Sequence, residues 1–139
     1  MILKNGLKKK KSKQRVLFIC THNSARSQMA EGFLRSLCGD YYEANSAGTQ
    51  PTQVNPLAIK VMTEIGIDIS NHHSKSISEF KDVEIDYVVT VCDTAKETCP
   101  FSPGAKKIFH KSFEDPSQYA GTEEEKLEKF RHIRDEIKK

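Results

Sequence analysis

The 139-residue chain has no apolar stretch approaching the length of a membrane span, and no signal-type hydrophobic segment follows its basic start. A cytoplasmic protein with reduced thiols and no membrane partner is therefore expected. The phosphate loop Gly-x-x-x-x-Gly-Lys-Ser/Thr is absent, which leaves a nucleotide triphosphatase without support. There is no internal repeat. The four cysteines, Cys20, Cys38, Cys92 and Cys99, fit neither a compact disulfide scaffold nor the paired Cys-x-x-Cys of structural zinc. Catalytic or redox use is expected of them, with no bound metal.

Acidic residues are missing from the first 15 positions, which hold seven of the 22 basic residues. The rest of the chain carries 15 basic against 19 acidic residues, so the overall charge of +3 conceals a body of about −4. No aromatic residue is interleaved with the lysines, which argues against binding of single-stranded nucleic acid. Residues 1–13 are expected to form a disordered basic tail, and residues 14–139 a single domain. That length suffices to bury a core without disulfide or metal staples.

The informative run is Cys20-Thr21-His22-Asn23-Ser24-Ala25-Arg26-Ser27. It follows the apolar strand-like Val16-Leu17-Phe18-Ile19 and precedes an amphipathic helical pattern. A chain that leaves a buried strand and enters a helix must turn, and the free N–H groups of that turn then converge at the positive end of the helix dipole. An oxyanion suits such a cradle, with residues 21–25 supplying the amides. Arg26 adds a planar fork that can hold two oxygens of a tetrahedral anion. The same field favours the thiolate at Cys20, which is the attacking form, and Ser27 can donate a hydrogen bond to the sulfur. A lone cysteine at a strand end would read as packing. Cysteine, arginine and serine at this spacing on one strand-to-helix junction do not.

Strands and helices alternate along the chain. Residues 15–20 read as a buried strand, and Met29, Ala30, Phe33, Leu34 and Leu37 as a helix stopped by Gly39. Residues 41–46 read as a second strand ending in Ala47-Gly48. Asn55-Pro56 opens a helix with Ala58, Val61, Met62 and Ile65 on one side, closed by Gly66. Residues 67–81 are mostly loop, and residues 85–91 and 106–109 are strands. Thr122 and Glu125 have capping-box spacing before a stripe of Leu127, Phe130, Ile133 and Ile137. The expected fold is α/β: a single domain with a four-stranded parallel sheet, helices on both faces, and the site at the carboxyl ends of the strands.

Cys92 ends the strand of residues 85–91 as Cys20 ends the first, so the two thiols can face each other across the sheet. Cys99 follows seven residues later. A helical segment of that length rises about 10.5 Å, whereas a disulfide needs Cα atoms within roughly 7 Å. Joining the two would unwind such a helix, which makes the segment a candidate redox switch; taken alone, ordinary buried or surface thiols fit as well. Cys38, in the last turn of the first helix, reads as packing. Asp115 precedes Pro116, which holds it extended. It is a candidate general acid beside an oxyanion, or one half of a common turn dipeptide.

Cys20 to Ser27, Cys92, Cys99 and Asp115-Pro116 together resemble the thioredoxin-coupled arsenate reductases of the low-molecular-weight protein tyrosine phosphatase superfamily. The likeness runs from about residue 14 to 137 and includes Gln28-Met29-Ala30-Glu31-Gly32, Asn45-Ser46-Ala47-Gly48, Asn55-Pro56 and Ile67-Asp68-Ile69-Ser70-Asn71-His72. The resemblance implies that Cys20 attacks arsenate held by the loop and Arg26 while Asp115 protonates the departing oxygen. Cys92 then attacks Cys20 and arsenite leaves, and Cys99 attacks Cys92, so that a Cys92–Cys99 disulfide is presented to external thioredoxin. No bound cofactor is implied. Two positions depart from the pattern: His22 stands where these loops often carry glycine, and Lys75 stands where some members have an aspartate that binds potassium with residues matching Asn23, Glu31 and Ser46. A lysine cannot ligate a cation, so its ammonium group is expected in the ion's place. The nearest rival is a phosphomonoesterase of the same fold with a cysteinyl-phosphate intermediate, which needs neither Cys92 nor Cys99. Such phosphatases carry tyrosines after the Asp-Pro pair, where Ser117 and Gln118 stand here. A phosphate- or nucleic-acid-binding module rests only on the basic tail and the cradle.

Overall fold

Strand β1 (Gln14–Cys20) runs unbroken through Val16, Leu17, Phe18 and Ile19, and this continuous apolar character places it inside the sheet with both faces covered. The computed structural model describes residues 13–80, 82–92 and 107–138. Its four strands, β1, β2 (Tyr42–Gly48), β3 (Tyr87–Thr90) and β4 (Lys107–His110), form one parallel sheet in the order β2-β1-β3-β4. The expected disordered tail and the segment containing Cys99 lie outside the described residues, except for Lys13.

The alternation of β1 sends its side chains to two cores. Phe18 and Cys20 face a cluster built with α1 (Arg26–Cys38), α2 (Pro56–Thr63) and α3 (Glu123–Lys138), whose centre is Met29, Phe33, Val61, Met62, Phe130 and Ile133. Met29, Met62 and Phe130 are at most 1% exposed. Burial of each such side chain contributes roughly 1.5–3 kcal/mol. Leu17 and Ile19 face the other way, onto Ala47, Ile85 and Val88, with Ile77 and Phe80 of a 3-10 turn (Ile77–Phe80) and Val83 packed against them.

The helix signals are used as the sequence predicts. Asn55 accepts a hydrogen bond from Leu57 N–H at 2.8 Å and Pro56 opens α2. Thr122 and Glu125 exchange reciprocal bonds, Thr122 N to Glu125 Oε1 at 2.8 Å and Glu125 N to Thr122 Oγ1 at 3.2 Å. Gly66 has φ +83° and turns the chain after α2. Gly39 instead keeps right-handed angles, so α1 stops without a left-handed residue.

Some boundaries differ for local reasons. β3 begins later than residue 85 because the Asp86 carboxylate, rather than a strand carbonyl, takes the Arg15 N–H at 2.8 Å, and it ends at Thr90. Leu37 and Ile65, expected on apolar faces, are 61% and 40% exposed. Leu37 stands on the wall of an apolar cavity of about 380 Å³ shared by Phe33, Leu34, Val89 and Ile137, and Ile65 falls in the turn beyond the end of α2. The carboxyl end of α2 is pinned to α3. Glu64 pairs with Arg131 at 2.9 Å and with Arg134 at 3.0 Å, while Arg134 also donates to the Val61 carbonyl at 2.8 Å. The Arg131 guanidinium, followed by Arg134, holds the Glu64 carboxyl below its ordinary range.

Candidate active site

Residues 21–25 connect the carboxyl end of β1 to the first turn of α1, so the predicted loop sits where strand and helix dipole both deliver it. The loop's carbonyls are turned outward and tied there. Thr21 O accepts from Gln50 N at 2.8 Å, His22 O from Ser74 Oγ at 2.8 Å and Thr52 N at 3.2 Å, Asn23 O from Gln28 Nε2 at 3.2 Å, and Ser24 O from Asn55 N at 2.9 Å. The N–H groups of His22, Asn23, Ser24 and Ala25 make no hydrogen bond among the described residues. Ala25 at the N-cap offers no side-chain acceptor and the first turn of α1 holds no acid, so nothing of the helix's own neutralises its positive end. Amides and dipole together are suited to hold an anion.

Asn23 makes the turn with φ 52°, in the left-handed region where a side chain is unusual. It is fully buried and every polar group of its side chain is used. Its Oδ1 accepts from Lys75 N at 2.8 Å and Gln28 Nε2 at 3.0 Å, and its Nδ2 donates to Ser27 Oγ at 2.8 Å. His22 does not adopt a positive φ, so the loop has no need of glycine there; its side chain is partly exposed. The residue that must be glycine is Gly48. A Cβ on it would lie 2.9 Å from Asn23 N and from Cys20 O and closer still to Thr21 O, so the end of β2 is the floor on which the loop rests.

The reactive groups converge on this loop. Cys20 is 2% exposed, and its Sγ lies 2.9 Å from Ser27 Oγ. Arg26, 3% exposed, donates from Nη1 to Phe113 O at 3.2 Å and places Nη2 3.6 Å from Asp115 Oδ2. Asp115 therefore comes to the loop from the far end of the chain. Cys92 is fully buried just beyond β3 and is engaged in a disulfide, whereas Cys20 and Cys38 are free. Ile19 pairs with Thr90 at the end of β3, so Cys92, two residues beyond that strand, lies at the same edge of the sheet as Cys20. Cys99 falls outside the described residues. Among those residues no three His, Cys, Asp or Glu gather to hold a metal, and no helix is long and apolar enough to cross a membrane.

A buried polar cluster supports the loop from behind. The Glu31 carboxylate takes the Ser46 hydroxyl at 2.5 Å and Arg35 Nη2 at 2.6 Å, and Lys75 Nζ stands 3.7 Å away. The ammonium group thus stands beside Glu31, whose carboxylate the Ser46 hydroxyl also reaches, and it donates to the His73 carbonyl at 3.1 Å. Sequence reasoning missed Gln28 and His72. Gln28 spends its amide nitrogen on Asn23 and the His73 carbonyl, so its Oε1 accepts from His72 Nδ1 at 3.0 Å, and Arg35 Nη1 then faces His72 Nε2 at 3.2 Å. That arrangement requires a neutral ring. Burial pushes the His72 pKa down, aided by Arg35 and Lys75 and opposed by Glu31. No spacing in the sequence marks this link, because it joins α1 to a loop 44 residues away.

Residues 15–139 match the low molecular weight phosphotyrosine protein phosphatase family. Over 128 residues the chain is 46% identical to the arsenate reductase of Halalkalibacterium halodurans, covering 92% of each chain. Its structure superposes on that of an arsenate reductase in the phosphate-binding state with a TM-score of 0.77 and 34% identity, over 90% of this chain and 91% of the other. A thioredoxin-dependent arsenate reductase of Corynebacterium glutamicum superposes with a TM-score of 0.61 and 29% identity, over 90% of this chain and 60% of the other. The chain belongs to the low molecular weight phosphotyrosine protein phosphatase family, in the group that includes these arsenate reductases.

Proposed function

We propose that this protein reduces arsenate to arsenite through three thiols, Cys20, Cys92 and Cys99, and is returned to its starting state by thioredoxin. The observation that carries this reading is the placing of Cys20 and Cys92. Neighbouring strands lie about 4.8 Å apart, and Cys92 lies just beyond the strand that neighbours the one Cys20 ends, which keeps the two thiols at one edge of the sheet. A phosphatase has no use for a second thiol there. The disulfide at Cys92, with Cys20 and Cys38 free, fits the state in which the relay ends.

The reaction runs in three steps. The loop amides and Arg26 hold the oxyanion, and the Cys20 thiolate attacks arsenic. One oxygen departs as water with a proton supplied by Asp115. The Cys92 thiolate then attacks Cys20 Sγ; the sulfur–arsenic bond breaks, its electron pair passes to arsenic, and arsenite leaves. Attack of the Cys99 thiolate on Cys92 frees Cys20 and leaves a Cys92–Cys99 disulfide for thioredoxin. Residues 14–139 suffice for this chemistry, and residues 1–13 are dispensable.

The test measures arsenite release with thioredoxin, thioredoxin reductase and a nicotinamide reductant, against glutathione with glutaredoxin. The thioredoxin system should sustain turnover. Cys99→Ser should complete one turnover and stop with Cys20 bonded to Cys92, as read by mass mapping. Multiple turnovers by Cys92→Ser would overturn the relay and leave a phosphomonoesterase built on Cys20, Arg26 and Asp115 as the better reading.

A further inference from the structure

We infer that Ser117 is a positioning residue that decides which oxygen of Asp115 delivers the proton, an inference that rests on the reading of Asp115 as general acid. Asp115 Oδ1 accepts two hydrogen bonds from Ser117, one from the backbone N–H at 3.0 Å and one from Oγ at 2.7 Å. The two donors occupy the lone pairs of that oxygen. Oδ2 is the oxygen turned toward the anion loop, 3.6 Å from Arg26 Nη2, and the Asp115 side chain is only 13% exposed. A protonated carboxyl carries its hydrogen on one oxygen, and an oxygen already accepting two donors is the unfavourable place for it. A proton taken up by this carboxyl therefore falls on Oδ2, on the side that faces the departing oxygen of a bound tetrahedral anion.

The hydroxyl is the adjustable half of this tether. Pro116 and the backbone N–H of Ser117 hold the short 3-10 turn Pro116–Gln118 in any variant that keeps the N–H. Without Oγ the carboxyl has one donor fewer and is free to turn about its last side-chain bond, presenting either oxygen to the loop or leaning on Arg26. Ser117 is itself exposed, so its truncation removes no packing. The structure gives the serine a use that a longer side chain could not fill: a short hydroxyl reaching back two residues to a carboxylate.

The experiment measures arsenite formation in a single turnover of the reduced protein, over a range of arsenate concentrations. Ser117→Ala should slow the limiting rate about three- to tenfold and leave half-saturation by arsenate within about twofold. Ser117→Thr should restore the rate, because it keeps the hydroxyl. In an Asp115→Asn background Ser117→Ala should add no further loss, since the group it positions no longer carries the proton. If Asp115→Asn leaves the single-turnover rate unchanged, the general-acid reading fails and this inference fails with it. If Asp115→Asn slows the step while Ser117→Ala does not, or if the two losses multiply, Asp115 keeps its role and the assignment of Ser117 is overturned.

Discussion

Ser27 Oγ stands 2.9 Å from Cys20 Sγ while a lone pair of the same oxygen is taken by Asn23 Nδ2 at 2.8 Å. With one lone pair so occupied, the hydroxyl keeps its proton available to donate to the sulfur. Ser27→Ala should slow phosphate-protectable alkylation of Cys20 by iodoacetamide about three- to tenfold at neutral pH, the weight of one such hydrogen bond. An unchanged rate would mean that the loop amides alone activate the thiol.

Gly48→Ala tests the floor of the loop. The added methyl collides with backbone atoms of residues 20, 21 and 23, which cannot step aside as a flexible side chain would. The expected cost is about 1–3 kcal/mol of stability, read by thermal or urea unfolding, together with loss of phosphate affinity measured by calorimetry. Full affinity at unchanged stability would show that β2 and the loop separate more readily than their contact suggests.

The Glu31 carboxylate is 4% exposed and leans on two fixed cations, Arg35 and Lys75. Lys75→Asp replaces one of them with a second carboxylate. Unfolding of this variant should shift to lower temperature and recover when potassium replaces a bulky organic cation at equal ionic strength, whereas the parent protein should show no such preference. A parent protein that responds equally to potassium would contradict the assignment of the ammonium group to that place.

His72 has its pKa lowered below 6.5, chiefly by burial. The ring is neutral in the fold and takes up a proton more readily once unfolded, so below about 6.5 the unfolded chain binds more protons. The corresponding stability is complete above that pH, declines as pH falls from 6.5 toward the depressed folded-state pKa, and levels off beneath it. The difference in unfolding free energy between the parent protein and His72→Asn, measured from pH 8 to pH 5, should show this slope. A flat difference would show that the ring already carries its charge in the fold.

Much of this molecule was legible before any coordinates. Val16 to Cys20 declared a buried strand by apolar continuity, and the Thr122–Glu125 pair declared its cap by spacing, because both signals are local. The strand-to-helix loop that gathers Cys20, Arg26 and Ser27 was equally plain, since a thiol, an arginine and a serine have to stand at fixed intervals when one turn presents them. What escaped was set by contacts distant along the chain. Gln28 touching His72 and Gly48 supporting Asn23 depend on how three elements pack, and no periodicity encodes that. Leu37 failed for a related reason: its place in the helical stripe was correct, but the stripe outruns the surface that covers it.

The carbonyls of residues 21, 22 and 24 are held outward by the N–H groups of Gln50, Thr52 and Asn55. This stretch carries no reactive group and reads as ordinary connecting loop. It nonetheless sets the polarity of the pocket, because each carbonyl it releases can swing its negative end toward the place an anion must occupy. The polarity of the loop is thus stored partly in backbone that faces away from it. Grafting new sequence into residues 50–55, an attractive site for engineering because of its exposure, would rewrite the electrostatics of the active site without altering one catalytic side chain.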